Sequence, residues 1–149
     1  MQMKLSVVLL LSASAVASLS AHIMVSPTQS KVGAMQKYEV RVHNETKVAA
    51  TSIDLEIPDG VTVTEVAKPA TGTYTTTKGD DRITMITWQI EVQPGKYVAL
   101  PFMAKNPAGE TELHWSLREH LADGSVVDWS DKAGAKQKGS VTQLAPGAK

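Results

Sequence analysis

Apolar and polar side chains alternate with a period of two along much of this chain. In residues 38–43, Tyr, Val and Val alternate with Glu, Arg and His. Residues 53–57 repeat the pattern with Ile, Leu and Ile separated by Asp and Glu, and Pro58-Asp59-Gly60 follows as a turn sequence. Successive side chains of a strand point to opposite faces, so this period is typical of strands with one face in a core.

The rest of the chain shows the same kind of segment. Further predicted strands are Gly72–Thr77, Arg82–Val92, Tyr97–Ala104, Glu112–Leu117, Val126–Trp129 and Ser140–Leu144. The breaks between them carry Gly, Pro, Asn or Asp, as in Gln93-Pro94-Gly95 and Asp123-Gly124. The best helical stretch, Leu117–Leu121, is too short to stand alone as a helix. Eight to ten short strands at this spacing predict an all-β fold, a single immunoglobulin-like or cupredoxin-like β-sandwich.

The first 21 residues have the layout of a cleaved secretory signal. Lys4 supplies a positive charge, Leu5–Leu11 is apolar except for one Ser, and small residues lead to Ala21. The apolar stretch is too short to cross about 30 Å of hydrocarbon as a helix. We therefore predict a signal peptide at 1–21 and one domain at 22–149. The protein would be secreted across the inner membrane to a periplasmic or extracytoplasmic location, without stable membrane insertion.

Charge and cysteine content exclude several classes of function. The chain has 15 Lys and Arg and 15 Asp and Glu, and residues 1–21 remove one Lys, which leaves a net charge of −1. A near-neutral domain without a basic run lacks the electrostatic footprint that nucleic acid requires. The absence of cysteine excludes thiolate catalysis, Cys-based zinc sites and disulfides. The exported domain must therefore be stabilised by burial.

Cleavage after Ala21 would make His22 the first residue of the mature chain. A terminal His can chelate one metal through its α-amine and its ring Nδ1 together. Two neutral nitrogen ligands suit Cu(II) better than other common divalent ions. Ala15-Val16-Ala17 also fits a cleavage pattern, and a cut after Ala17 would leave Ser18 first and remove the chelate.

Several stretches, in order over nearly all of residues 22–149, resemble the YcnI-like copper-binding domain family. They are His22-Ile23-Met24-Val25-Ser26-Pro27, Gln36–Glu45, Leu55–Val61, Ile86-Thr87-Trp88, Ala104-Lys105-Asn106-Pro107 and Asp123–Trp129. The resemblance implies an exported sandwich that begins at His22. It also implies one copper per chain, bound in a histidine brace that a Glu completes, with a Trp close to the metal.

The resemblance places these roles on particular residues. Glu45 matches the family's Glu and Trp129 its metal-proximal Trp, whereas Glu56 and Asp54 remain alternatives for the carboxylate. The sequence departs from the family at two places. His43 replaces the usual Pro after Arg-Val, and Tyr74 lies where the family often has a Pro-Gly-Trp turn. Trp88 and Trp115 are predicted to be core residues.

The predicted function is copper homeostasis or delivery in the cell envelope, by a non-enzymatic protein that binds Cu(II). Other envelope copper-handling proteins are the partners this implies. A metal-free interaction or assembly module is the first alternative, since sandwiches host many functions. A copper-dependent oxidoreductase ranks last, because no second His aligns with His22 for a two-His brace.

Overall fold

The computed structural model describes residues 22–135 and 137–147, so the predicted signal peptide lies outside the described residues. The described residues are all-β. Their strands are β1 (His22–Ser26), β2 (Gln29–Lys31), β3 (Met35–His43), β4 (Ala50–Glu56), β5 (Thr62–Val66), β6 (Thr73–Gly79), β7 (Arg82–Val92), β8 (Tyr97–Lys105), β9 (Glu112–Leu121), β10 (Val126–Trp129) and β11 (Ser140–Ala145). Over these ranges, no helix has the length and apolar character needed to cross a bilayer.

The strands form two sheets that enclose one core. The first sheet has the order β1-β3-β8-β5, and the second has the order β2-β11-β9-β4-β7-β6, with β10 also paired to β9. All pairs are antiparallel except β2 with β11. β11 and β10 pair with successive parts of β9, while β4 also pairs with β9. β4 therefore occupies one side of β9, and β11 and then β10 lie along the other.

Aromatic side chains from both sheets meet at the centre of the sandwich. Tyr38 and Phe102 of the first sheet lie 5.6 Å apart between ring centroids. Trp115 of the second sheet packs edge-on against both, at 5.1 Å from Tyr38 and 5.8 Å from Phe102. Trp88, also of the second sheet, lies 6.5 Å from Phe102. Trp88 and Trp115 are fully buried, which confirms that both are core residues.

The period-two pattern correctly predicted the strands of the core, and the structure extends it in three places. Residues 22–26 and 29–31 form β1 and β2, which the pattern did not predict. Strand β9 continues through Leu117–Leu121, where side chains keep alternating between buried and outward positions. Strand β6 reaches Gly79, and Asp80 and Asp81 make the turn with φ of 50° and 64°. The predicted strand Gly72–Thr77 therefore ended two residues too early.

Candidate metal centre

The start of β1 lies at one end of the first sheet, directly opposite the end of β3. In the antiparallel register His22 pairs with His43, which in turn pairs with Tyr97 of β8. The structure describes the backbone of His22 but not its side chain. The pairing brings the first residue of the predicted mature chain beside the segment that carries His43 and Glu45.

Glu45 lies in the loop that leaves β3, and its neighbour Asn44 holds that loop in place. The buried Asn44 amide donates to the carbonyl oxygens of Val48 at 2.9 Å and Val92 at 2.8 Å. Its Oδ1 accepts from the backbone N–H of Thr46 at 2.9 Å. These bonds satisfy the buried side-chain amide of Asn44 and fix the position from which the Glu45 side chain extends.

The two oxygens of the Glu45 carboxylate have different surroundings. Oε1 lies 3.2 Å from Nδ1 of His43, and the Glu45 side chain is only 17% exposed. Oε2 is buried and has no hydrogen-bond partner among the described residues. A buried oxygen without a partner costs free energy, so its position suits a carboxylate that binds a ligand.

Trp129 of β10 is buried, and the pairing of β10 and β11 with β9 relates its position to β1. The Ser140 hydroxyl accepts from the Val25 backbone N–H at 3.0 Å, and Ser140 is paired with Trp115 of β9. Trp129 pairs with Leu117, two residues further along β9. Following β1 back from Val25 by the same two residues reaches Ile23, next to His22. Trp129 is 6% exposed, and its buried indole N–H has no partner in the described ranges.

The two alternative carboxylates lie elsewhere and already have partners. Asp54 accepts hydrogen bonds from the Thr87 hydroxyl at 2.8 Å and from His120 Nε2 at 2.8 Å. Glu56 forms an ion pair with Lys132 at 2.8 Å. Both belong to β4 of the second sheet, on the face directed away from the core. The geometry therefore favours Glu45 over either residue as a neighbour of His22.

Sequence analysis did not identify Glu119 of β9, which is fully buried. Neither of its carboxylate oxygens has a hydrogen-bond partner among the described residues. Burial raises the pKa of this carboxyl above its ordinary value, because a low-dielectric interior disfavours the charged form. The signal was present in the sequence, since Glu119 occupies the apolar phase of the alternation that runs from Leu113 to Leu121.

A separate ionic cluster joins β9 to the loop after β10. His114 lies with Nδ1 2.7 Å from Asp131 Oδ2 and Nε2 2.9 Å from Glu112 Oε2. Hydrogen bonds to Asp131 and then Glu112 raise the pKa of His114. The bond with His114 lowers the pKa of Asp131, and bonds from Gln143 and His114 lower that of Glu112.

We expect this cluster to make stability depend on pH. Because the pKa of His114 is raised in the folded state, protonation of this residue stabilises the fold. The stabilisation is fully present below the unfolded pKa of about 6.5 and is lost as the pH rises through the folded pKa. Ionised Asp131 and Glu112, whose pKa values are lowered, stabilise the fold above about pH 4, and this stabilisation is lost on acidification. Thermal unfolding of wild type and His114→Gln should therefore differ most near pH 5.5 and little at pH 9. A constant difference between the two proteins would contradict this prediction.

Comparison with known proteins identifies the family. The sequence model described as "Domain of unknown function (DUF1775)" matches residues 22–149. The chain belongs to the DUF1775 family. Copper-binding protein CutI of Bacillus subtilis (strain 168) is 29% identical over 128 residues, which cover 84% of this chain and 63% of the relative. The chain thus spans less than two thirds of that relative's length. Together these matches confirm the resemblance to the YcnI-like family.

Solved structures confirm the fold of this DUF1775 domain. A Nocardia farcinica protein described as having an immunoglobulin-like fold superposes with a TM-score of 0.70 at 19% identity, covering 83% of this chain and 98% of that one. A non-cellulosomal cohesin from Archaeoglobus fulgidus gives a TM-score of 0.52 at 12% identity, covering 84% and 91%. At these identities the likeness concerns the fold alone. The sandwich is therefore of the immunoglobulin-like kind.

The described side chains of the DUF1775 domain would fit copper only together with the predicted amino terminus at His22. Among them, no three His, Asp or Glu residues form a metal-binding group, and the side chain of His22 is outside that search. The buried, unpartnered Oε2 of Glu45 nevertheless lies in the loop next to the His22–His43 pair. Nitrogen ligands from a terminal His and a carboxylate oxygen are a donor set that Cu(II) accepts.

Proposed function

We propose that this protein is exported to the cell envelope and binds one Cu(II) through His22 as its first residue, serving copper homeostasis or delivery. A relative named as a copper-binding protein supports a function related to copper. Signal cleavage, envelope location, stoichiometry and oxidation state are part of the proposal. Copper here is the cargo of a binding protein, and no catalytic step is assigned to it.

Three residues would contribute to the binding of Cu(II). The α-amine and ring of His22 would act as a chelate, and both must be deprotonated to bind the metal. Glu45 would supply an oxygen ligand and offset one of the metal's two positive charges. The Trp129 ring, level with Ile23, would form an apolar wall that limits access of water.

The carboxylate of Glu45 is the observation that carries the proposal. One oxygen contacts His43, while the other is buried without a partner among the described residues. The loop that holds it follows directly on the residue paired with His22. A bound cation would compensate the free energy that this arrangement otherwise costs.

A Cu(II) titration of residues 22–149 tests the proposal. Wild type should bind one equivalent. His22→Ala should bind about 100-fold more weakly, because a chelate loses the advantage of two linked ligands. Glu45→Gln should weaken binding about tenfold or more. Glu65→Gln removes an exposed carboxylate of β5 and is the matched control. Equal affinity of His22→Ala and wild type would refute the chelate at His22, and no binding by wild type would favour a metal-free interaction module.

The first residue of the exported protein is a separate part of the same proposal. The intact mass of protein recovered from outside the cytoplasm should correspond to a chain that starts at His22. A mass corresponding to Ser18 would show that the signal is cut after Ala17, and the native protein would then lack the chelate.

A further inference from the structure

Glu119 is a buried carboxylate that the function described so far does not use. Its neighbours across the pairing strands are Ile53 of β4 and Val127 of β10. Leu117 and Leu121 are buried on the same face of β9. Neither oxygen of Glu119 has a hydrogen-bond partner among the described residues, so the group is surrounded by apolar side chains.

An isolated ionised carboxylate is among the costliest groups to bury, and proteins pair such charges or use them as metal ligands. The other buried side-chain atoms without described partners include Glu45 Oε2 and Trp129 Nε1. Trp129 is a diagonal neighbour of Glu119, because Val127 pairs with Glu119 and Trp129 pairs with Leu117. On one face of paired strands, diagonal neighbours are within reach of long and aromatic side chains.

Two side-chain hydrogen bonds from β11, together with the pairing of β11 and β9, relate positions of β1 to positions of β9. Thr142 donates to the Pro27 carbonyl at 3.0 Å and pairs with Leu113. Ser140 bonds Val25 at 3.0 Å and pairs with Trp115. Each step of two residues back along β1 therefore matches a step of two forward along β9.

Continuing this relation by one step sets Ile23 level with Leu117, and Glu119 is the next residue on the same face of β9. His22 thus falls between the levels of Leu117 and Glu119. It lies on the side of β9 where β11 and β10 pair, since β11 contacts β1. The buried carboxylate therefore lies on the inner face of β9, beyond Leu117 in the direction that corresponds to the start of β1.

We propose that Glu119 is a second carboxylate of the copper site at His22, an inference that rests on the proposed function. Together with Glu45 it would balance both charges of Cu(II), while the amine and imidazole bind as neutral ligands. A copper site with zero net charge costs less free energy to bury next to Trp129 than a charged site would. Two oxygen donors also favour Cu(II) over Cu(I), which prefers softer ligands.

Glu119→Gln is the isosteric test, with Glu119→Leu as a second variant. Both remove a buried charge and should unfold at the same or a higher temperature than wild type without metal. Glu119→Gln should weaken Cu(II) binding about tenfold or more and alter the parallel hyperfine splitting in the Cu(II) EPR spectrum. Glu65→Gln should keep wild-type affinity and spectrum, since it removes an exposed charge from the opposite edge of the first sheet.

The outcomes separate the two proposals. If wild type binds Cu(II) in a His22-dependent manner while both Glu119 variants keep its affinity and spectrum, the role of Glu119 is refuted and the proposed function stands. If wild type itself binds no Cu(II), both fail. Should Glu119→Gln not fold, Glu119→Leu, which suits the apolar surroundings better, decides the question by the same two measurements.

Discussion

Acetylation of the His22 α-amine should weaken Cu(II) binding by about 100-fold or more, although every side chain is kept. The acetyl group turns a basic amine into an amide nitrogen, which does not bind metal while it keeps its proton. The imidazole then binds alone and loses the gain that a linked second ligand provides. A titration of acetylated and unmodified protein, both starting at His22, measures the difference.

Acetylated His22→Ala is the matched control for this experiment. Its affinity should be close to that of unmodified His22→Ala, because one half of the chelate is already missing in both proteins. Such non-additivity is expected only if the amine and the imidazole bind the same ion. A large loss in both backgrounds, or no loss in either, would contradict the chelate.

Replacement of Trp115 by Ala should destabilise the fold by ~3–5 kcal/mol. The side chain is 1% exposed, and its ring packs edge-on against Tyr38 and Phe102. Its indole N–H also donates to the Thr142 hydroxyl at 3.0 Å. The substitution therefore removes contacts between the two sheets, leaves a cavity and deprives the Thr142 hydroxyl of one of its two hydrogen bonds.

Urea unfolding of the metal-free protein measures this loss. Tyr97→Ala is the control, since Tyr97 is 57% exposed, and its effect should stay within about 0.5 kcal/mol. A loss below about 1 kcal/mol for Trp115→Ala would mean that the core collapses around the missing ring more completely than is usual for large aromatic residues.

Most strands were predictable because alternation is a local property. Tyr38, Val40 and Val42 are buried, as are Ile53 and Leu55, which agrees with the period-two pattern. The short strands β1 and β2 were missed. Three residues in β2 are too few to show a period, and the consecutive apolar residues Ile23-Met24-Val25 of β1 do not alternate with polar ones.

The candidate site was only partly predictable. The sequence pointed to His22, Glu45 and Trp129, and the strand registers place the Glu45 loop and Trp129 near the start of β1. Glu119 was missed because a single Glu among alternating residues does not stand out until its surroundings are known. Its burial depends on the strands that cover it, which include β4 and β10.

The order of residues alone was sufficient to predict an all-β domain and the core residues Trp88 and Trp115, because these depend on side-chain identity and on neighbours in sequence. The copper site at His22 stays a prediction. Which carboxylates are buried without a hydrogen-bond partner among the described residues was decided only by the tertiary structure. Glu45 and Glu119 are 74 positions apart, and the pairing of distant strands brings each toward the start of β1. Strand pairing follows from the burial of one shared core, a property of the whole chain and not of any single segment.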